Sequence, residues 1–276
     1  VLCVVYAIWR LRGRKSRSGL QPKWGLLFGF AYLAGLSHIL LDYTNAYGVR
    51  PFWPFSERWY SWDIVSIVEP VLLLFLIGGL ALPGLSALID KEMNVRRKVP
   101  RGRLAASLAL LGMALVWMVR DYEHRHAIAS LEARTYEGAQ PLRASAYPYM
   151  LDPFHWSGVV ETNDFFATTL VNSSSSEVDP GGDMKIRQKP EETPVTLAAK
   201  RTYLGRVYLD WAAYPITETE QQESGTVAYV VRFKDLRYLY PDEPGDARRT
   251  VLSAFVTLDK KLKTVAEGMG VRRAPE

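Results

Sequence analysis

The stretch WGLLFGFAYLAGLSHILLDYTN, residues 24–45, decides how the first part of this chain folds. Its first eighteen residues, Trp24–Leu41, carry no full charge, and as a helix they would extend about 27 Å, most of the way across a bilayer. Near the end of the stretch, His38 and Asp42 lie four residues apart, so their side chains share one helix face. Ionisable groups at membrane depth usually persist where they do chemistry or line a polar cavity. We therefore predict a membrane helix that ends in a polar site.

Charge divides the chain into two unlike parts. Residues 1–120 contain 15 Lys and Arg against 6 Asp and Glu, a net charge of +9, whereas residues 121–276 contain 19 against 23, a net charge of −4. The basic residues of the first part lie between apolar runs, which is not typical of a nucleic-acid-binding surface. The single cysteine, Cys3, excludes an internal disulfide and a cysteine-rich zinc site.

Three apolar runs in residues 1–120 are long enough to cross a membrane. They cover residues 24–41, 64–89 and 104–120. The opening run Val1–Trp9 is too short to cross, and it lacks both an initiating Met and the basic segment of a signal peptide. We expect it to be the tail of a membrane helix whose beginning lies outside this chain, so that the transmembrane domain is truncated at its N-terminus.

The distribution of basic residues predicts the orientation of these spans. Loops 10–23 and 90–103 each contain six Lys or Arg, against no acid and two acids respectively, whereas loop 42–63 contains two Lys or Arg and three acids. Since positively charged loops remain cytoplasmic, loop 42–63 and residues 121–276 should both lie outside the cytoplasm. We predict a multi-pass protein of a bacterial inner (cytoplasmic) membrane, with the polar helix end and the C-terminal domain on the same outer side.

Three polar residues beyond the helix end are further candidates for a site. Asn45 lies seven residues after His38, nearly on the same face if the helix continues. Asp63 and Glu69 flank the start of the next span, where a carboxylate also stabilises the helix dipole. Capping explains Asp63 as well as a site role does, whereas Glu69 lies deeper in apolar sequence, which favours function. The aromatic loop 51–62 favours interfacial anchoring over a substrate platform.

The residue types of the helix motif suit a metal. A neutral imidazole and a carboxylate are ordinary zinc ligands, so His38 and Asp42 are candidate metal ligands. The alternative interpretation is a histidine that bonds a carboxylate and only completes the helix. The remaining histidines favour structural roles, because His124 and His126 are too close in sequence to share a helix face and His155 lies in a turn.

A combined pattern extends from this motif into the following loop. It consists of Gly35-Leu36-Ser37-His38-Ile39-Leu40-Leu41-Asp42, then Asn45, Gly48-Val49, Trp53-Pro54-Phe55 and Asp63. The pattern resembles the YdjM-type inner-membrane metal-dependent hydrolases across residues 24–75, and the resemblance is looser elsewhere. That family is distantly similar to zinc-dependent phospholipase C and related nucleases with helical folds.

The resemblance implies a metal site and a hydrolytic mechanism. It assigns His38 and Asp42 to the family's metal-ligand motif. It assigns Asp63 and Glu69 to acidic positions that would serve as general base or hold the histidine in its tautomer. Asn45 would contact the metal ligands without binding the metal itself. The implied cofactor is a divalent metal, with zinc the expected ion. It would activate a water molecule for the hydrolysis of an ester or phosphoester, and lipid-derived compounds are among the implied substrates. The family's other histidine motifs come earlier in the chain, so without them metal binding should be poor.

The sequence of the C-terminal part, residues 121–276, predicts an architecture different from that of the membrane helices. We expect a helical stem over residues 121–140 and an extracytoplasmic α+β domain over residues 141–276, a small antiparallel sheet with one helix. The predicted strands are 157–162, 165–172, 225–233 and 250–258, with a hairpin turn at Asn163-Asp164. Residues 195–213 are predicted as one helix, and residues 173–192 as a mobile excursion.

Three classes of function remain open at this point. The first is a membrane metallohydrolase that contacts membrane lipids. The second is a non-catalytic envelope protein whose outer domain binds a partner, with the polar helix end only packing. The third, a transporter subunit, has the least support because the spans and the intramembrane charges are few. No nucleic-acid partner is indicated.

Overall fold

The computed structural model of the protein describes residues 2–11, 22–93, 102–222, 227–241 and 252–270. Much of both predicted basic loops lies outside the described residues, as do the first residues of the strands predicted at 225–233 and 250–258. The chain divides into two compact units, residues 1–62 and residues 63–276, which are described in turn.

The first unit consists of two helices and an aromatic loop. Helix α1 (Leu2–Leu11) contacts helix α2 (Trp24–Thr44) through aromatic rings, with the Tyr6 and Trp24 centroids 4.9 Å apart. No residue in the most apolar window of α2 is buried. Exposed apolar side chains suit a helix that is surrounded by lipid. The backbone polar groups of such a helix are satisfied within the helix itself.

The loop after α2 folds back on itself. Val49 and Tyr60 pair as an antiparallel bridge through two N–H···O bonds of 2.8 and 2.9 Å, and the Trp62 N–H donates to the Tyr43 carbonyl at 2.7 Å. Gly48 makes the turn at φ +82°, where an added Cβ would lie 3.3 Å from the Tyr60 carbonyl oxygen. A glycine is needed there because other residues rarely adopt this conformation.

The second unit begins with the two remaining apolar helices, α3 (Pro70–Glu92) and α4 (Gly102–Glu132). Together with α2, they make three helices among the described residues that are long and apolar enough to cross a membrane, as predicted. The helices α3 and α4 pack closely through small residues: an added Cβ on Gly79 would lie 2.8 Å from the Ala109 Cβ. Close backbone approach of this kind is typical of membrane helix pairs.

Two helix limits differ from the prediction. Helix α3 starts at Pro70 rather than residue 64, because proline fits the first helical position and the residue before it, Glu69, is held extended at φ −111° and ψ 101°. Helix α4 continues without a break into the predicted stem and ends at Glu132. A turn closed by Tyr136 and Ala139 follows. The stem prediction of 121–140 was therefore too long.

Two antiparallel sheets follow, where the sequence predicted one. The first contains β1 (Arg143–Pro148), β2 (His155–Glu161), β3 (Phe165–Asn172), β4 (Glu177–Val178) and β5 (Lys185–Gln188), with β4 and β5 both pairing with β3. Helices α5 (Pro194–Lys200) and α6 (Tyr203–Trp211) lead to the second, of β6 (Pro215–Gln221), β7 (Tyr229–Asp235), β8 (Ala254–Leu258) and β9 (Thr264–Met269). The α+β class and the hairpin at Asn163-Asp164 are confirmed.

Each sheet has its own core. The end of α4 packs on the first sheet, where Ala127, Leu131 and Trp156 are fully buried. Helices α5 and α6 pack on the second sheet around Tyr208 and Phe233. Two further predictions were wrong in detail: residues 173–192 contain β4 and β5, and residues 195–213 form two helices rather than one.

Candidate functional site

The end of α2 brings His38 and Asp42 together. The His38 Nε2 lies 3.4 Å from the Asp42 Oδ2, and the two side chains are 77% and 43% exposed. The separation follows from the helix, since residues four apart lie one turn above each other on one face. Both groups can therefore reach one external object.

This pair fits part of a metal site. Two donors on one tetrahedral zinc, with bonds of about 2.0–2.2 Å, lie roughly 3.4 Å apart. An ordinary hydrogen-bonded ion pair has a similar separation, so the distance alone does not distinguish the two. Within the described parts of the chain, no three His, Cys, Asp or Glu side chains form a group that could hold a metal ion. A catalytic zinc needs three protein ligands, so a metal ion at this pair would require at least one more donor.

Asn45 is used by the local backbone. It follows the last residue of α2, and its N–H donates to the Asp42 carbonyl at 3.3 Å. Its Oδ1 accepts the Tyr47 N–H at 2.7 Å, a turn that asparagine favours. Asn45 therefore connects the candidate ligand Asp42 to the loop through the main chain.

Glu69 is part of a buried ion pair. Its Oε2 accepts from the Arg120 Nη2 at 2.9 Å, and both side chains are only 3% exposed. The Glu69 Oε1 is buried and has no hydrogen-bond partner among the described residues. The Arg120 Nη1 donates to the carbonyls of Tyr149 and Asp152 at 3.1 and 3.2 Å. The pair therefore joins the start of α3, the end of the apolar part of α4 and the loop after β1.

Asp63 lies near tyrosines of the sheet region. Its backbone has φ +59°, uncommon for a residue other than glycine. Burial raises the pKa of Tyr147, and the Asp63 carboxylate raises that pKa further. Burial also raises the pKa of Tyr214 to about 12, although the hydrogen bond to Ser145 opposes the shift. Asp63 and Glu69 belong to the second unit, whereas His38 and Asp42 belong to the first.

The other histidines have structural contacts. The ring of His124 is buried against Trp156, with centroids 5.1 Å apart, and its Nε2 lies 3.0 Å from the Ala146 carbonyl oxygen. The exposed ring of His126 stacks on Tyr122. The His155 Nδ1 lies 2.6 Å from Asp152.

The turn around Asp152 is stabilised electrostatically. Partial burial alone would raise the pKa of Asp152, but hydrogen bonds from the Phe154 N–H and from His155 lower it below its usual value. Both contacts hold the carboxylate in its charged form.

Sequence reasoning missed the partner of Glu69. A lone arginine directly after the apolar run 104–119 was the available signal, because a charge at such a depth needs a partner. The separation of 51 positions between Glu69 and Arg120 hid the pairing, since only the packing of α3 on α4 brings them together.

The sequence of the helical part has a known relative. The family described as YdjM inner membrane protein matches residues 1–127. Over residues 1–127 the chain is similar to the YdjM family. The resemblance predicted from residues 24–75 is thereby confirmed. No curated protein and no solved structure matches the chain.

The YdjM match ends inside α4. It covers all three candidate membrane helices up to residue 127 and includes His38, Asp42 and Glu69. The two sheets lie beyond the matched range. The family is described as an inner membrane protein, and the three candidate spans agree with a membrane protein.

Proposed function

We propose that this protein is a membrane-bound, metal-dependent hydrolase of esters or phosphoesters, with lipid-derived compounds among its substrates. The observation that carries the proposal is the His38–Asp42 pair, two zinc-type donors 3.4 Å apart on an exposed helix face. The YdjM match supports the membrane location. The proposal places the protein in a bacterial inner membrane with loop 42–63 and the sheets outside the cytoplasm.

In this proposal each residue has a defined task. His38 and Asp42 hold a divalent cation, zinc by the type of its ligands. The cation, when bound, lowers the pKa of water and polarises the substrate oxygen. The pattern that resembles the YdjM family assigns the role of general base to Asp63 or Glu69, and Glu69 is paired with Arg120. Asn45 keeps Asp42 in place through its backbone bond at the helix end.

Metal analysis of the full-length protein, purified from membranes, tests this proposal. We expect about one zinc per chain, lost in His38→Ala and in Asp42→Ala. The matched control is His126→Ala, which removes another exposed histidine and should leave the zinc content unchanged. Hydrolysis of a nitrophenyl ester, a nitrophenyl phosphodiester or a fluorogenic phospholipid should disappear with the metal. Zinc retained at the wild-type level by both variants at the helix end would contradict the proposal.

A second candidate is a non-catalytic envelope protein whose outer domain binds a partner. The buried Glu69–Arg120 pair favours it, because a carboxylate predicted to be catalytic has a structural partner instead. In that case the full-length protein should bind no zinc and hydrolyse none of the three substrates. The same measurements therefore distinguish the two candidates.

A further inference from the structure

The loop after β1 is attached to the end of a membrane helix. Arg120, which directly follows the apolar run of α4, donates to the carbonyls of Tyr149 and Asp152 at 3.1 and 3.2 Å. The same loop is bonded to the segment before α3, since the Ser66 hydroxyl donates to the Pro148 carbonyl at 3.5 Å. The loop and this segment therefore lie at the same position along the axis of α4 as Arg120.

The position of Arg120 along α4 sets the depth of these contacts. Counted from Arg103, the last basic residue before the apolar run, a span of about 20 residues ends near Tyr122. Arg120 thus lies within one turn of the boundary between hydrocarbon and headgroups. The headgroup layer on each side of the hydrocarbon core is about 5–8 Å thick, so backbone bonded to Arg120 lies within that layer or next to it.

The attached segments expose apolar side chains there. Each of them is between 42% and 63% exposed, and we call the set the apolar collar: Ile67, Val68, Met150, Leu151 and Phe154. Leu151 is presented by a backbone with φ +64°, which is uncommon for a residue of its type. Several exposed apolar side chains on two segments bonded to each other favour a site of interaction.

We propose that the apolar collar is inserted in the headgroup layer of the same bilayer that α3 and α4 cross. Continuity with the spans identifies lipid as the occupant: the collar is bonded through Arg120 and Glu69 to the ends of α3 and α4, whose own apolar side chains are exposed below it. Tyr122 is 60% exposed at the same level, as expected of an aromatic residue at a membrane interface.

The consequence is a fixed position for the first sheet. Because the collar is in lipid and Arg120 fixes the loop, β1 ends and β2 starts at the membrane surface. This inference holds whether or not the protein is a hydrolase.

Fluorescence of single labelled cysteines tests the collar in the full-length protein. The protein carries Cys3→Ser, which removes the one cysteine of residues 1–276, together with serine at any cysteine outside this range. It is placed in lipid nanodiscs at one chain per disc. Leu151→Cys and Met269→Cys are each labelled with the environment-sensitive dye NBD. The two sites are matched, since both are exposed apolar residues, 59% and 55%, and Met269 lies on β9 of the second sheet.

We expect the dye at position 151 to emit at shorter wavelength, to be quenched by nitroxide lipids and to be shielded from aqueous iodide. The dye at position 269 should show the opposite pattern. Equal iodide quenching at the two sites would overturn the proposal. Shielding at position 151 that is present only when two chains share a disc would also overturn it, because a second copy would then be the occupant.

Discussion

At the scale of single residues, the buried Glu69–Arg120 pair makes a direct prediction. Glu69→Ala should destabilise the protein by roughly 3–5 kcal/mol, because it leaves the arginine charge buried without a partner. The measurement is thermal unfolding in detergent. The matched control is Glu57→Ala, which removes the same side chain from an exposed position and should change stability by about 0.5 kcal/mol or less.

A double variant separates the structural role of Glu69 from a catalytic one. In Glu69→Leu with Arg120→Met, no unpaired charge is left, so most of the lost stability should return. If the double variant is folded and still hydrolyses substrate, Glu69 has no catalytic role. A Glu69→Ala protein that unfolds at the wild-type temperature would show that the ion pair contributes nothing.

The candidate site illustrates what residue spacing can predict. The His38–Asp42 contact follows from four residues on one helix, so sequence was sufficient. The surroundings of Asp63 depend on Tyr147 and Tyr214, which reach it only through the folding of distant strands. No local rule of spacing predicts such an electrostatic interaction.

At the scale of helices, the packing of α3 on α4 depends on Gly112. An added Cβ at this position would overlap the ring of Phe75. We expect Gly112→Ala to destabilise the helix pair by about 1–3 kcal/mol through overpacking. Gly78→Ala is the matched control, because an added Cβ there meets no atom within 4 Å.

Disulfide crosslinking and thermal unfolding both test this prediction. A pair of cysteines placed across α3 and α4 in the Cys3→Ser protein should form a disulfide faster in the wild-type background than in Gly112→Ala. Combining Gly112→Ala with Phe75→Leu, which reduces the overlap, should restore the rate. Equal rates in all backgrounds would mean that Gly112 does not set the approach of the two helices.

The elements themselves were predictable where an apolar run is long enough to cross a membrane. The three spans satisfied this condition. The region 195–213 did not, because Thr202 caps a second helix by accepting the Gly205 N–H, and Gly205 packs against the Ala199 carbonyl so closely that no side chain fits. Short edge strands such as β4 are defined only by their partner β3, so their own residues carry little signal.

At the scale of the whole molecule, the topology determines which side of the membrane the loops and sheets occupy. The charge distribution predicts that loop 42–63 and the sheets lie outside the cytoplasm. The ion pair between Arg120 and Glu69 shows that the end of the apolar part of α4 and the start of α3 lie side by side, at the same depth along the helix pair. Alternation of spans then requires the α3–α4 connection to lie on the opposite side.

Labelling of intact bacterial cells with a membrane-impermeant maleimide tests this topology. In the Cys3→Ser protein, Phe55→Cys in the aromatic loop and Met269→Cys on β9 should both react before lysis, since Phe55 is 95% and Met269 is 55% exposed. Ser16→Cys, in the basic loop 10–23, should react only after lysis. If Phe55→Cys reacts only after lysis, the positive-inside argument fails for this chain. A hydrolase with His38 and Asp42 would then act on cytoplasmic substrates.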